Sequence, residues 1–230
     1  MSDPSLLPSI AVFGLGIIGS RAADHIAAAG YPVTTWSRSP RERMDFESDS
    51  SMAAGNAEII VFYLKDVPAV RDVFEKVRGS LGPGKTFVNH ATIDHDTTDY
   101  LVTECARLEC DFLNAPFTGS KLAAGNAALV YYAGGSSEVL EQLRPFLAVT
   151  SNQVMEVDSP LAATILKLTT GQVDILLLKP RDHLIQRDPE RSELWSVDLD
   201  VNLFFKPAVH PNCGHTFQCF QFGSNLLLSE

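Results

Sequence analysis

The chain has 230 residues, an apolar fraction of 45%, a charged fraction of 20% and a formal net charge of −10. That length holds one large domain or a medium one with a smaller companion, and a core of that size needs no disulfide or metal staple. The acidic balance speaks against nucleic acid, whose binding rests on Lys and Arg clustered against phosphates, and no apolar run approaches a membrane span.

The N-terminal segment up to Pro8 is polar or interrupted by proline, with no apolar h-region, so a cytoplasmic protein with reduced thiols is expected. From Ser9 to about Asp158 short apolar runs alternate with helical patterns. Strands are predicted at Ile10–Phe13, Val33–Trp36, Ile59–Leu64, Thr86–Val88, Cys110–Leu113, Leu129–Ala133 and Val154–Val157. Their near-continuous apolar character suits strands covered on both faces. Helices are predicted at Ile17–Ala29, Val67–Arg78, Asp96–Leu108 and Ser137–Leu147, with Gly30 where a left-handed cap is wanted. Between Arg38 and Ala57 a helix start is read at Pro40–Arg43, and no strand. Ser159 and Pro160 signal a helix running to about Thr170. After Gly171 no periodicity lasts long enough to assign a helix or strand.

The expected architecture is α/β: a doubly wound, mostly parallel Rossmann-type sheet, then a helix and a short, poorly defined C-terminal segment. The division expected is 1–160 as a cofactor domain and 161–230 as the helix start with the C-terminal segment.

The central motif is Gly14-Leu15-Gly16-Ile17-Ile18-Gly19. Glycines at that spacing arise by chance, but these follow a predicted strand and open a predicted helix, the context a dinucleotide site needs. Gly14 permits the tight turn, Gly16 lets the backbone approach a pyrophosphate, and Gly19 lets helix and strand pack closely. The pyrophosphate would sit on free N–H groups at the helix N-terminus. The plain alternative is a glycine-rich turn with no ligand.

At the end of the second strand an NAD site carries Asp or Glu for the ribose hydroxyls. This chain has Ser37-Arg38-Ser39. A carboxylate would repel a 2′-phosphate, whereas Arg38 can fork onto its oxygens with Ser37 and Ser39 donating, so NADP(H) is the expected cofactor. Arg41 and Arg43 could assist there, but read more readily as solvent-facing.

Four segments in order resemble the β-hydroxyacid dehydrogenase family, which includes 3-hydroxyisobutyrate dehydrogenases, glyoxylate reductases and 6-phosphogluconate dehydrogenase. Ile10–Arg38 is similar to its N-terminal fingerprint. Asn89-His90-Ala91-Thr92 resembles its D-x-S-T loop. Asn114-Ala115-Pro116-Phe117-Thr118-Gly119-Ser120, with Gly134-Gly135 beyond, resembles its D-A-P-V-S-G-G substrate loop. Lys167 in Ile165-Leu166-Lys167-Leu168 looks like its catalytic lysine. The likeness covers roughly 8–171.

The resemblance implies an NADP(H)-dependent oxidoreductase that passes hydride between nicotinamide and a small hydroxyacid or oxoacid, with Lys167 as general acid/base. A lysine whose pKa burial lowers can do that work. It implies cofactor contacts from the glycine loop, Ser37, Arg38, Ser39, Leu64 and Thr92, substrate contacts from Thr118, Gly119 and Ser120, and no metal.

The chain also departs from the pattern. Ala91 replaces the family's substrate-binding Ser, Ser120 replaces a glycine, and Gly171 stands where an Asn follows the lysine. The family's all-α domain, which closes the site and forms its dimer, has no counterpart in Gln172–Glu230, so that segment reads as divergent or truncated and the oligomeric state is left open. The alternative reading is therefore an NADP-binding module that has lost catalysis.

Several residues invite other roles. His210, Cys213, His215 and Cys219 match no standard zinc spacing. His90 and His95 flank Thr92 and read as loop histidines. Cys105 and Cys110 bracket a helix end, and Tyr131 and Tyr132 sit on a strand core-facing on one side.

Overall fold

The computed structural model describes residues 7–178, 195–198, 218–222 and 225–229. The chain divides into two compact units, Met1–Thr170 and Gly171–Glu230. His210, Cys213 and His215 lie outside the described residues.

The first unit is a sheet built from β1 (Ile10–Phe13), β2 (Val33–Trp36), β3 (Ile59–Phe62), β4 (Thr86–Asn89), β5 (Asp111–Asn114), β6 (Phe117–Thr118), β7 (Leu129–Gly134) and β8 (Ser151–Val157). Its order is β2-β1-β3-β4-β5-β7-β6, with β8 on β7. The first five strands are parallel. β5 and β6 both meet β7 antiparallel, and β7 pairs β8 in parallel. This is a doubly wound, mostly parallel Rossmann-type sheet.

Why the strands read as continuously apolar is visible in their burial. On β1, Ile10 and Val12 enter a core with Ala22, Ala23 and Ile26 of α1 (Ile17–Ala28) and with Leu143 and Leu147 of α6 (Ser137–Leu147). Ala11 and Phe13 enter the opposite core with Ala53 of α2 (Ser50–Gly55), Val70 and Phe74 of α3 (Val67–Val77) and Leu101 of α4 (His95–Arg107). Side chains alternate between faces at period two, and both faces are covered, so every position is apolar. Helices leave β1 and β3 toward opposite faces, which opens a crevice between those two strands at their C-terminal ends, where such folds bind ligands.

Local chemistry sets the boundaries. Asp66, Asp94 and Ser136 accept backbone N–H bonds as N-caps of α3, α4 and α6. Gly30 closes α1 at φ +92°. At the end of α4 the Cys110 N–H reaches back to the Cys105 carbonyl at 2.9 Å and Glu109 adopts φ +53°, a left-handed cap whose flanking cysteines are both buried and free.

Three stretches depart from expectation. Pro40–Arg43 starts no helix; the strand of a regular Rossmann half shrinks to one bridge between Thr35 and Phe46, and the short α2 follows. The segment after Thr118 folds as α5 (Lys121–Gly125). The helix begun at Pro160 does not stop near Thr170 but continues as α7 (Pro160–Leu178). A mid-helix glycine costs only about 1 kcal/mol against alanine, and the Ile-Leu-Leu-Leu run beyond it favours helix.

In the second unit, β9 (Trp195–Asp198), β10 (Gln218–Phe222) and β11 (Asn225–Ser229) form an antiparallel sheet ordered β10-β11-β9. None of these strands was predicted, because aromatics and prolines break the alternation on which such an assignment rests. Cys219 lies on β10. No helix among the described residues is long and apolar enough to cross a membrane.

Candidate active site

The glycine loop joins β1 to α1, and its three glycines do three different things. Gly14 sits at φ +102°, and a side chain there would collide with the Tyr63 carbonyl. A Cβ on Gly19 would collide with the Gly14 carbonyl, so this glycine sets the close seating of α1 on the loop. A Cβ on Gly16 would meet nothing within 4 Å. The space above Gly16 is open, so this glycine is not there for packing.

Gly16 is also the N-cap of α1, and neither a side-chain cap nor an acidic residue attends the first turn. The leading N–H groups thus face the opening with the positive end of a twelve-residue helix behind them. That is the donor set a pyrophosphate requires. A cleft of about 500 Å³ lies there, bounded by Leu15, Gly16, Ile17, Arg21, Arg41 and Arg43 among others. Gly16, an open cleft and the guanidinium groups of Arg21 and Arg41, with Glu42 also on the wall, fit a dinucleotide.

The second-strand turn is arranged differently from expectation in one respect. Ser37 is half-buried and its hydroxyl donates to the Ser39 carbonyl at 2.6 Å, while Arg38 and Ser39 are exposed beside it. Arg43 is not a solvent-facing residue. It donates to Asp45 through Nε at 2.8 Å and Nη2 at 2.9 Å, and to Asp24 at 2.7 Å. The paired Asp45 carboxylate raises the Arg43 pKa, and the guanidinium in turn holds Asp45 below its ordinary value. Arg43 therefore pins the loop, and Arg21 and Arg41 are the cleft cations. Arg21 was not anticipated; its place four residues after Ile17 on the helix was the available signal.

Leu64 is half-buried after β3, its Cδ2 close to where a Gly14 side chain would lie. Ile17 is exposed at the mouth and Ile18 packs against the core. Thr92 is exposed on the loop after β4. The glycine loop, Leu64 and Thr92 thus follow the C-terminal ends of three neighbouring parallel strands. Ala91 is turned the other way, into the core at 2% exposure.

Beyond β5, Thr118 is half-buried on β6 and Gly119 takes φ +146°. Ser120 caps α5, its hydroxyl accepting from the Ala123 N–H at 3.3 Å. His25 of α1 donates from Nε2 to the Ala124 and Gly125 carbonyls, each at 3.1 Å, tying that short helix to the glycine-loop helix. Lys167 comes from α7 and its Nζ donates to the Thr118 hydroxyl at 3.3 Å. Two residues 49 positions apart meet here.

The histidines separate. His95 opens α4 in solvent, whereas His90, in the loop directly after β4, is buried, with its ring 4.6 Å from that of Tyr63 and 4.4 Å from that of Tyr131. Its burial drives the imidazole pKa down to about 4. Tyr131 and Tyr132 are both buried rather than one-sided. The Tyr131 hydroxyl lies 2.7 Å from that of Tyr63 and 2.8 Å from that of Thr150.

Residues 9–158 match the family model described as the NAD binding domain of 6-phosphogluconate dehydrogenase. The chain belongs to this family. It is similar to the probable 3-hydroxyisobutyrate dehydrogenase-like 3, mitochondrial, of Arabidopsis thaliana, with 31% identity over 63% of this chain and 48% of the relative. It also resembles the glyoxylate/succinic semialdehyde reductase 2, chloroplastic, of the same plant, at 26% identity over 61% of this chain and 42% of the relative. The chain spans about half the length of the curated relatives it matches. Among solved structures, the Mycobacterium tuberculosis 3-hydroxyisobutyrate dehydrogenase shares the fold, with a TM-score of 0.70 at 20% identity over 73% of this chain and 60% of that one. A nicotinamide dinucleotide is the cofactor class of this family.

Proposed function

We propose that this protein is an NADP(H)-dependent oxidoreductase of the β-hydroxyacid dehydrogenase type, acting on a small hydroxyacid or its oxoacid. The observation that carries the reading is the Lys167–Thr118 contact at 3.3 Å, which sets the acid/base candidate against a hydroxyl of the substrate-type loop. Support on the cofactor side is the open space over Gly16 together with Arg38, Ser37 and Ser39 at the end of β2. When bound, the nicotinamide supplies or takes up the hydride.

The residues have distinct work in this reading. The first-turn N–H groups of α1 hold the pyrophosphate, and Arg38 holds the 2′-phosphate, with Arg21 and Arg41 adding positive potential in the cleft. Leu64 and Thr92 line the cofactor side. Thr118, with Gly119 and Ser120, shapes the substrate loop. Lys167 gives a proton to the substrate oxygen during reduction and takes it back during oxidation, which keeps an alkoxide from having to form unaided.

A second reading has its own observation. Ala91 is directed into the core and offers no hydroxyl to a substrate carboxylate. A module that binds NADP(H) without turnover accounts for that. The discriminating experiment mixes the purified chain with NADPH and a panel of 2-oxo and 3-oxo acids and follows the absorbance of the reduced nicotinamide. Oxidation with at least one acid, lost in Lys167→Ala while NADPH still binds, is the result expected. Binding without turnover on every acid selects the module, and no binding at all overturns both.

A further inference from the structure

Behind Lys167 runs a set of buried polar side chains whose protons can all be placed. Asn89 ends β4 and Asn114 ends β5, and both are wholly buried. Asn89 Nδ2 donates to Asn114 Oδ1 at 2.8 Å and to the Ala91 carbonyl at 3.0 Å, while its Oδ1 accepts from the Ala91 N–H. Asn114 Nδ2 donates to the Pro160 carbonyl and to Thr164 Oγ1, each at 2.8 Å. Thr164 Oγ1 lies 2.7 Å from Thr98 Oγ1. The Thr98 hydroxyl proton is committed to the Asp94 carbonyl at 2.8 Å, so Thr164 is the donor between the two threonines. The direction of every bond from Asn89 to Asp94 is then forced.

Three elements meet in this run: the loop that carries Thr92, the strand that leads to Thr118, and α7. Thr164 precedes Lys167 by just under one helical turn, so anchoring Thr164 sets the height and rotation of α7 where Lys167 reaches toward Thr118. The chemistry demands amides. A carboxylate at 114 could not donate to Pro160 or Thr164, and a carboxylate at 89 would set acceptor against acceptor. Both positions carry Asn here, where the motifs they resemble carry Asp.

We propose that Asn114, held by Asn89 and acting through Thr164, is a positioning residue that sets Lys167 against the Thr118 loop. The inference rests on Lys167 being the acid/base of the function proposed above, and its test does not require turnover.

The full chain is treated with an amine-acylating reagent, and the labelling rate of Lys167 is taken relative to exposed Lys121 in the same molecules by peptide mass spectrometry. Asn114→Asp and Thr164→Val should each shift that ratio by about threefold or more, as expected for partners in one hydrogen-bond network. Thr164→Ser keeps the hydroxyl and should restore the parental ratio. NADPH titration should give the same dissociation constant for all variants that fold. Folded Thr164→Val with an unchanged Lys167 ratio overturns the positioning role, even if its melting temperature falls, because a merely structural bond would lower stability without moving Lys167. Should Asn114→Asp fail to fold, the Thr164 pair decides alone. Parent protein that binds no NADPH refutes the proposed function, and the labelling ratio still judges the positioning.

Discussion

His90 donates from Nδ1 to the carbonyl of Ala115 across 2.6 Å, and this leaves its Nε2 buried without a partner among the described residues. A neutral imidazole is the form that site accepts. With a folded pKa of about 4 against an ordinary 6.5, the unfolded chain takes up more protons between those values. Stability from this group is therefore flat above pH 6.5, falls as the pH drops toward 4, and levels off below it. The loss is about 3 kcal/mol over that window. Urea unfolding at a series of pH values should show it, and His90→Leu should flatten the slope. An unchanged slope in the variant would show that other groups carry the acid sensitivity.

The glycine loop separates folding from binding. Gly16→Val puts its Cβ into open space, so the protein should still fold, losing no more than about 1 kcal/mol at the N-cap, while NADPH binding disappears. Gly19→Ala drives a methyl group into the Gly14 carbonyl, and overpacking of that kind costs about 1–3 kcal/mol. Thermal melts paired with fluorescence titrations test both, and a Gly16→Val protein that binds NADPH normally refutes the pyrophosphate site.

Cofactor preference follows from the turn after β2. Arg38→Ala should weaken NADPH binding by about 1.5–3 kcal/mol, the scale of a hydrogen bond to a charged group, and leave NADH almost untouched. Arg43→Ala should act differently, loosening the loop that Asp45 and Asp24 hold and lowering stability rather than selectivity. Equal losses of NADPH and NADH in the Arg38 variant would refute the 2′-phosphate role.

Lys85 reaches across from the start of β4 and donates from Nζ to the carbonyls of Ala54 at 3.1 Å, Gly55 at 2.9 Å and Ala57, closing the C-terminal end of α2. Desolvation lowers its pKa, yet its three protons each have an acceptor. Lys85→Met keeps the length but strands those carbonyls, and about 1–3 kcal/mol of stability should be lost in denaturant titration. A midpoint unchanged from the parent would mean that water satisfies the helix end equally well.

The parallel sheet and its glycine loop were legible from residues alone, because their causes are local. Ile10–Phe13 and Ile59–Phe62 are short, wholly apolar runs that suit strands buried on both faces, and Gly14, at φ +102°, makes a turn that favours glycine. What lay beyond the sequence was every relationship that depends on distance along the chain. Nothing near His90 signals that Tyr63 and Tyr131 will enclose it, nothing near Lys85 signals the carbonyls of α2, and nothing in Asn89 or Asn114 signals the other. Arg43 read as a surface cation until Asp24 and Asp45 were placed beside it. The periodicity of α7 and the glycine within it could not say where the helix ends, since a mid-helix glycine is a cost of about 1 kcal/mol that neighbours readily offset. Local patterns determine which segments become strands and helices. The pairing of polar groups buried between them is decided only when the strands assemble in order β1-β3-β4-β5, which brings the ends of β4 and β5 together under α7 and sets Lys167 within reach of Thr118.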